Sequence, residues 1–169
     1  MNVLLIGGAP NTGKSNAVAM CANYLLNRNF NVLECQNYDG KQIIVPRIAT
    51  GSNGSKDFLA RLEGLDKNYK KVSVVITSAS DTVGIIDANF NYFHNSPCNI
   101  YISSIRDIGP ERAYLLQKFG FSKELNGVIE FPLAKMSRKN ANWYTAKAWY
   151  DITVQNMLEH ILKSKPFEV

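Results

Sequence analysis

Apolar and polar positions follow two rhythms along this chain. Val3-Leu4-Leu5-Ile6 is a short continuous apolar run suited to a buried strand, and over residues 16–26 Ala17, Met20, Cys21, Tyr24 and Leu25 recur at helical spacing. Residues 31–35 read as a second strand. The turn-forming Asn37-Tyr38-Asp39-Gly40 then leads into Gln42-Ile43-Ile44-Val45, predicting a hairpin. Residues 49–55, rich in glycine, hydroxyl and amide groups, predict a loop. Phe58, Leu59, Leu62 and Leu65 share one face of an amphipathic helix predicted over 56–69. Residues 72–77 (VSVVIT) form the clearest later strand, continuous enough to be central in a parallel sheet. A helix follows over 82–93 with Val83, Ile86, Phe90 and Phe93 inward, then a strand over 99–103. Pro110 suits the first turn of a helix over 111–119. A last strand over 127–131 and a basic loop over 135–142 precede a terminal helix over 143–162, with Tyr150, Val154, Met157, Leu158 and Ile161 inward.

Strands alternating with helices predict an α/β fold: a mostly parallel sheet of about five strands with helices on both faces, in three layers. Right-handed crossovers then gather the strand exits along one edge. Residues 8–15, the stretch after Val45, residues 78–81, 104–107 and 133–139 are therefore expected to converge.

The length of 169 residues, with 46% of them apolar, suits a single domain over 1–169 with a sizeable core. No apolar run approaches the roughly 20 residues that span a bilayer, and the opening residues lack the pattern of a signal segment. A cytoplasmic protein with no membrane partner is expected. Cys21, Cys35 and Cys98 are widely spaced, as reduced core thiols would be, and carry no metal-binding spacing. The net charge of +5 is spread along the chain, pointing to a solvated surface and phosphate-facing cations ahead of a nucleic-acid patch.

The strongest chemical signal lies between the first strand and the first helix. Gly8-Ala9-Pro10-Asn11-Thr12-Gly13-Lys14-Ser15 matches the phosphate-binding pattern G-x-x-x-x-G-K-[S/T] at every position. Gly8 and Gly13 give the backbone the freedom to wrap its N–H groups around phosphate oxygens. The helix start adds unsatisfied N–H groups and the positive end of its dipole. With Asn16, these residues form the expected nucleotide-binding set; Lys14 would place its charge on the β and γ phosphates and Ser15 its hydroxyl on magnesium. At these residues the chain resembles the P-loop NTPase superfamily. The resemblance implies ATP and Mg2+ as ligands and phosphoryl transfer as the chemistry.

A carboxylate near the strand exits is expected beside such a loop. The strand over 72–77 ends in threonine and serine, leaving Asp81 either to reach the metal or to cap the following helix. Asp39 fits a tight turn better than an acceptor site. Arg106 follows a strand exit and is the first candidate to stabilise a transferring phosphoryl group, whereas Arg112 suits a turn into its helix or an ion pair. Arg138 and Lys139 have lid-like surroundings, although solvated side chains account for them as well. His94 and His160 lack partner spacing, and Trp143 and Trp149 read as helix-face core. No Asn-Lys-x-Asp segment is present, which favours adenine over guanine, and Ala9 stands where partition-type ATPases carry an extra lysine.

Two functions follow, beside a third possibility in which the loop binds nucleotide but catalysis has been lost. One is an ATP-dependent phosphotransferase or hydrolase, with water or a small molecule as acceptor, using Lys14, Arg106 and Asp81. The other is a nucleotide-gated switch that acts on a protein or nucleic-acid partner through slow hydrolysis.

Overall fold

The computed structural model describes residues 1–47, 57–121, 127–134 and 143–169. Among them the chain order is β1 (Asn2–Gly8), α1 (Lys14–Asn27), β2 (Asn31–Gln36), β3 (Leu59–Leu65), β4 (Lys71–Thr77), α2 (Val83–His94), β5 (Ile100–Arg106), α3 (Pro110–Phe119), β6 (Val128–Pro132) and α4 (Trp143–Lys163). The six strands form one mixed, mostly parallel sheet in the order β2-β3-β4-β5-β1-β6. Continuous burial from Val3 to Gly8 reflects the unbroken apolar run of β1, which lies between two parallel neighbours, β5 and β6.

Strand direction is what positions the site. β4 runs parallel to β5, and β5 to β1, whereas β3 is antiparallel to both β4 and β2. Among the described strands β3 alone opposes the rest. Its entry, at Asp57-Phe58, therefore lands on the edge where β1, β4 and β5 exit. Ser78 and Phe58 seal that corner: Ser78 N–H donates to Phe58 O at 3.0 Å, and Phe58 N–H donates to Ser78 Oγ at 2.7 Å.

Alternate residues of β1 enter different hydrophobic clusters. Leu4 and Ile6 pack with Val18 and Leu25 of α1 and with Val154, Leu158 and Leu162 of α4. Val3 and Leu5 pack with Ile86 of α2 and Leu115 of α3. A strand's two-residue period thus divides the apolar side chains between the helix pairs.

The structure corrects several expectations. The predicted helix over 56–69 is strand β3 among its described residues. Phe58, Ala60 and Leu62 are each fully buried in the cluster with α1, and the Asp66 turn, with Tyr69 N–H donating to Asp66 O, folds β3 back onto β4. The predicted hairpin after β2 reduces to one bridge between Gln36 and Gln42. Pro46 cannot extend a ladder there, and β2 takes β3 as its neighbour instead. On α2, Val83 is exposed while Ile86 is buried; on α4, Met157 is exposed while Leu162 closes the inner face. Trp149, expected in the core, is 69% exposed. The side chain of Trp143, and residues 48–56 and 135–142, which hold the loops expected over 49–55 and 135–142 with Arg138 and Lys139, lie outside the described residues.

Cys21 and Cys35 are buried and Cys98 is partly so, all as free thiols. Burial pushes Cys21 up to about 12 and the other two to about 11, so all three stay protonated near neutrality. No helix among the described residues is long and apolar enough to cross a membrane.

Candidate functional site

The loop between β1 and α1 bends through two left-handed residues, Asn11 (φ 61°) and Gly13 (φ 91°). Such a bend turns successive N–H groups toward one concave side. At Gly8 the constraint is space: a Cβ there would collide with Thr12 Oγ1, which itself donates to Ala9 O at 2.9 Å and holds the loop closed. Helix α1 starts at Lys14 on Gly13, whose missing side chain offers the first turn no cap. Those N–H groups and the dipole's positive end therefore face the loop.

Lys14 lies inside this turn, 7% exposed, and its Nζ donates to Gly8 O and Ala9 O, both at 3.0 Å. Burial is the main cause that lowers its pKa from the ordinary 10.5; Asp81, Asp107 and Asp57 pull it back up, and Arg106 pushes it further down. These are the charges that surround Lys14. They come from the exits of β4 and β5 and the entry of β3, so the expected convergence of strand exits holds for 8–15, 78–81 and 104–107. Leu133 joins them, with its N–H donating to Gly7 O at 2.8 Å.

Ser15 meets a carboxylate absent from the residues singled out in the sequence. Its Oγ lies 2.7 Å from Asp57 Oδ1 and 3.2 Å from Ser78 O, and Ser78 Oγ lies 3.5 Å from the same Asp57 oxygen. Asp57 carries no motif, and the helix read over 56–69 hid it. The available signal was the alternation of Ala60, Leu62 and Gly64 with Arg61 and Glu63, followed by an Asp66-Lys67-Asn68 turn before another apolar run.

Asp81 does not cap α2. Thr82 does so, accepting from Ile85 N–H at 3.3 Å. Asp81 instead faces Arg106, with Oδ1 2.9 Å from Arg106 Nε, while Arg106 Nη2 donates to the Asp81 carbonyl at 3.4 Å. The Nε–H is not aligned as a hydrogen bond in this ion pair and is buried. Arg112 forms a two-pronged pair with Glu130, 2.7 Å on each side, and also donates to Arg106 O at 3.2 Å, tying the β5 exit to β6. Asp39 belongs to its turn: Asn37 Oδ1 accepts from Asp39 N–H and Lys41 N–H, and Gly40 takes φ 76°.

As the sequence over 72–77 indicates, the β4 exit carries hydroxyls in place of an aspartate, and β5 carries them too, all buried. Thr77 Oγ1 contacts Tyr101 OH and donates to Ser103 Oγ, both at 2.8 Å; Ser104 Oγ donates to Ser80 Oγ at 3.0 Å. These links satisfy polar groups between fully buried strand ends. They leave Asp57 as the carboxylate in contact with the loop serine.

Among the described residues, no three His, Cys, Asp or Glu side chains are grouped to hold a metal ion. Magnesium needs no such cage, because it is commonly bound through one or two carboxylates with water and phosphate oxygens completing the shell. Ser15 and Asp57 fit that donor set. No protein-family model, curated protein or solved structure matches the chain.

Proposed function

We propose that this chain is a P-loop protein of the three-layer α/β type that binds ATP with magnesium and transfers the γ-phosphoryl group to water or to a small acceptor. The observation that carries the proposal is a buried lysine at an uncapped helix start, with the adjacent serine in contact with a carboxylate.

Each residue then has a role. The bent loop and the first turn of α1 present N–H groups to phosphate oxygens. Lys14 exchanges two carbonyl partners for the more negative β and γ phosphates, which offsets its burial. Ser15 and Asp57 would hold magnesium, directly or through water, and the ion would supply positive charge to the phosphate oxygens. Arg106 faces the developing charge on the transferring group, and Asp81 holds its guanidinium. Asp81 is thus assigned to Arg106, and Asp57 to the metal.

The release of ADP from Mg-ATP by the purified protein tests this reading, with Mg-GTP and Lys14→Ala in parallel. Steady ADP release lost in the variant supports hydrolysis. Release that appears only with an added nucleoside, nucleotide or sugar supports a kinase. No release in any of these mixtures contradicts phosphoryl transfer.

A nucleotide-gated switch draws support from one specific feature. Val83 (49% exposed) and Ile108 (77%) flank the Asp81–Arg106 pair in sequence, so apolar surface adjoins a charged pair that bound nucleotide would rearrange. A switch is expected to change its protease sensitivity between ATP and ADP.

A further inference from the structure

Tyr38 and Asn89 lie outside the loop, and together they enclose the peptide groups of Ala79 at the β4 exit. Ala79 N–H donates to Tyr38 OH at 3.2 Å, Tyr38 OH donates to Asn89 Oδ1 at 2.8 Å, and Asn89 Nδ2 donates to Ala79 O at 2.7 Å. The ring of hydrogen bonds is closed. It joins the turn after β2, the middle of α2 and the end of β4.

Its members are fixed on every side. Asn89 is fully buried and Ala79 is 3% exposed. Burial raises the Tyr38 pKa, so its phenol remains a donor throughout the working range. The turn that carries Tyr38 is held by Asn37, whose side chain accepts two backbone N–H groups. Rigid elements therefore meet at a single residue of the strand exit.

That residue sits directly after Ser78, whose carbonyl accepts from Ser15 and whose hydroxyl contacts Asp57. We propose that Tyr38 and Asn89 are positioning residues for the metal-bound nucleotide: by clamping Ala79 they set Ser78, and Ser78 aligns Ser15 with Asp57. The proposal rests on the Mg-ATP reading above. It assigns function to two side chains that need not touch the nucleotide, through partners that act in concert.

The clamp should matter for the metal and little for the phosphates, because the loop N–H groups and Lys14 do not depend on Ala79. Calorimetric titration of ATP, once in excess EDTA and once in excess Mg2+, separates the two. It is run on the wild type, Lys14→Ala, Tyr38→Phe and Asn89→Asp. Tyr38→Phe keeps the ring and removes only the hydroxyl; Asn89→Asp keeps the Oδ1 acceptor and removes the donor.

The expected result is that Tyr38→Phe binds ATP in EDTA as the wild type does but loses about ten- to a hundred-fold of the affinity gained from Mg2+. Asn89→Asp should lose it in the same direction. A Mg2+ gain equal to that of the wild type in Tyr38→Phe overturns the proposal. Equal weakening with and without Mg2+ also overturns it, because that marks a general structural role. If the wild type binds no ATP in either condition, or Lys14→Ala binds as the wild type does, the nucleotide reading itself fails. That result is distinct from either outcome for the clamp.

Discussion

Ser15 and Asp57 are separated by 42 residues along the chain, and their side chains meet at 2.7 Å. The contact exists because β3 runs against its neighbours, which brings a strand entry to an edge otherwise built from strand exits. A parallel strand at that position would deliver its first residue to the opposite edge.

Asp57→Asn tests the contact with little change of shape. Nucleotide binding in EDTA should be preserved, while the tightening produced by Mg2+ falls about ten- to a hundred-fold, as measured by calorimetry. Asp81→Asn should leave that tightening intact. The opposite pattern would assign the metal to Asp81.

Lys14 gives a prediction in pH. Burial lowers its pKa, so the unfolded chain holds this proton more tightly than the folded one. The resulting cost to stability is fully present below the folded pKa and disappears as pH rises through it toward 10.5. Lys14→Met should therefore be at least as stable as the wild type near pH 7 in urea denaturation. The wild type should gain on it as pH climbs through that window. The same variant should lose ATP binding, and wild-type affinity should fall over that pH range as the charge is lost.

The Asp81–Arg106 pair is testable by a double-mutant cycle. If Asp81 acts by holding the guanidinium, Arg106→Ala and Asp81→Ala should each lower kcat with little change in KM. The double variant should then be no worse than Arg106→Ala alone. Additive losses would mean that Asp81 acts independently.

Much of the fold was legible because its signals were local. The apolar run of β1, the loop from Gly8 to Ser15, the burial of 72–77 and Pro110 at the start of α3 each specify their element from a few adjacent residues. Strand β3 was not. Phe58, Leu59, Leu62 and Leu65 group on one face of a helix, whereas in the strand Phe58 and Leu62 fall on one side of the sheet and Leu59 and Leu65 on the other. The helical spacing masked the weaker alternation of Ala60, Leu62 and Gly64 with Arg61 and Glu63. Losing β3 also lost Asp57, since its role depends on strand direction and not on any neighbour in sequence. Tyr38 and Asn89 were illegible for the same reason: their shared partner Ala79 lies 41 residues from one and 10 from the other.

Gly64 decides between the two assignments of that segment. In β3 a Cβ at Gly64 would lie 2.5 Å from the ring of Phe30, itself buried. Gly64→Ala should therefore destabilise the protein by about 1–3 kcal/mol in urea denaturation. In a helix over 56–69 the same change would stabilise by up to about 1 kcal/mol.

The most direct test of the central claim is equilibrium binding of Mg-ATP to the wild type and to Lys14→Ala, each checked for intact folding by its thermal transition. The expected result is one site per wild-type chain and no measurable binding by the folded variant. A wild type that binds no nucleotide, or a Lys14→Ala protein that binds it equally well, would contradict a phosphate site built on Gly8 to Ser15.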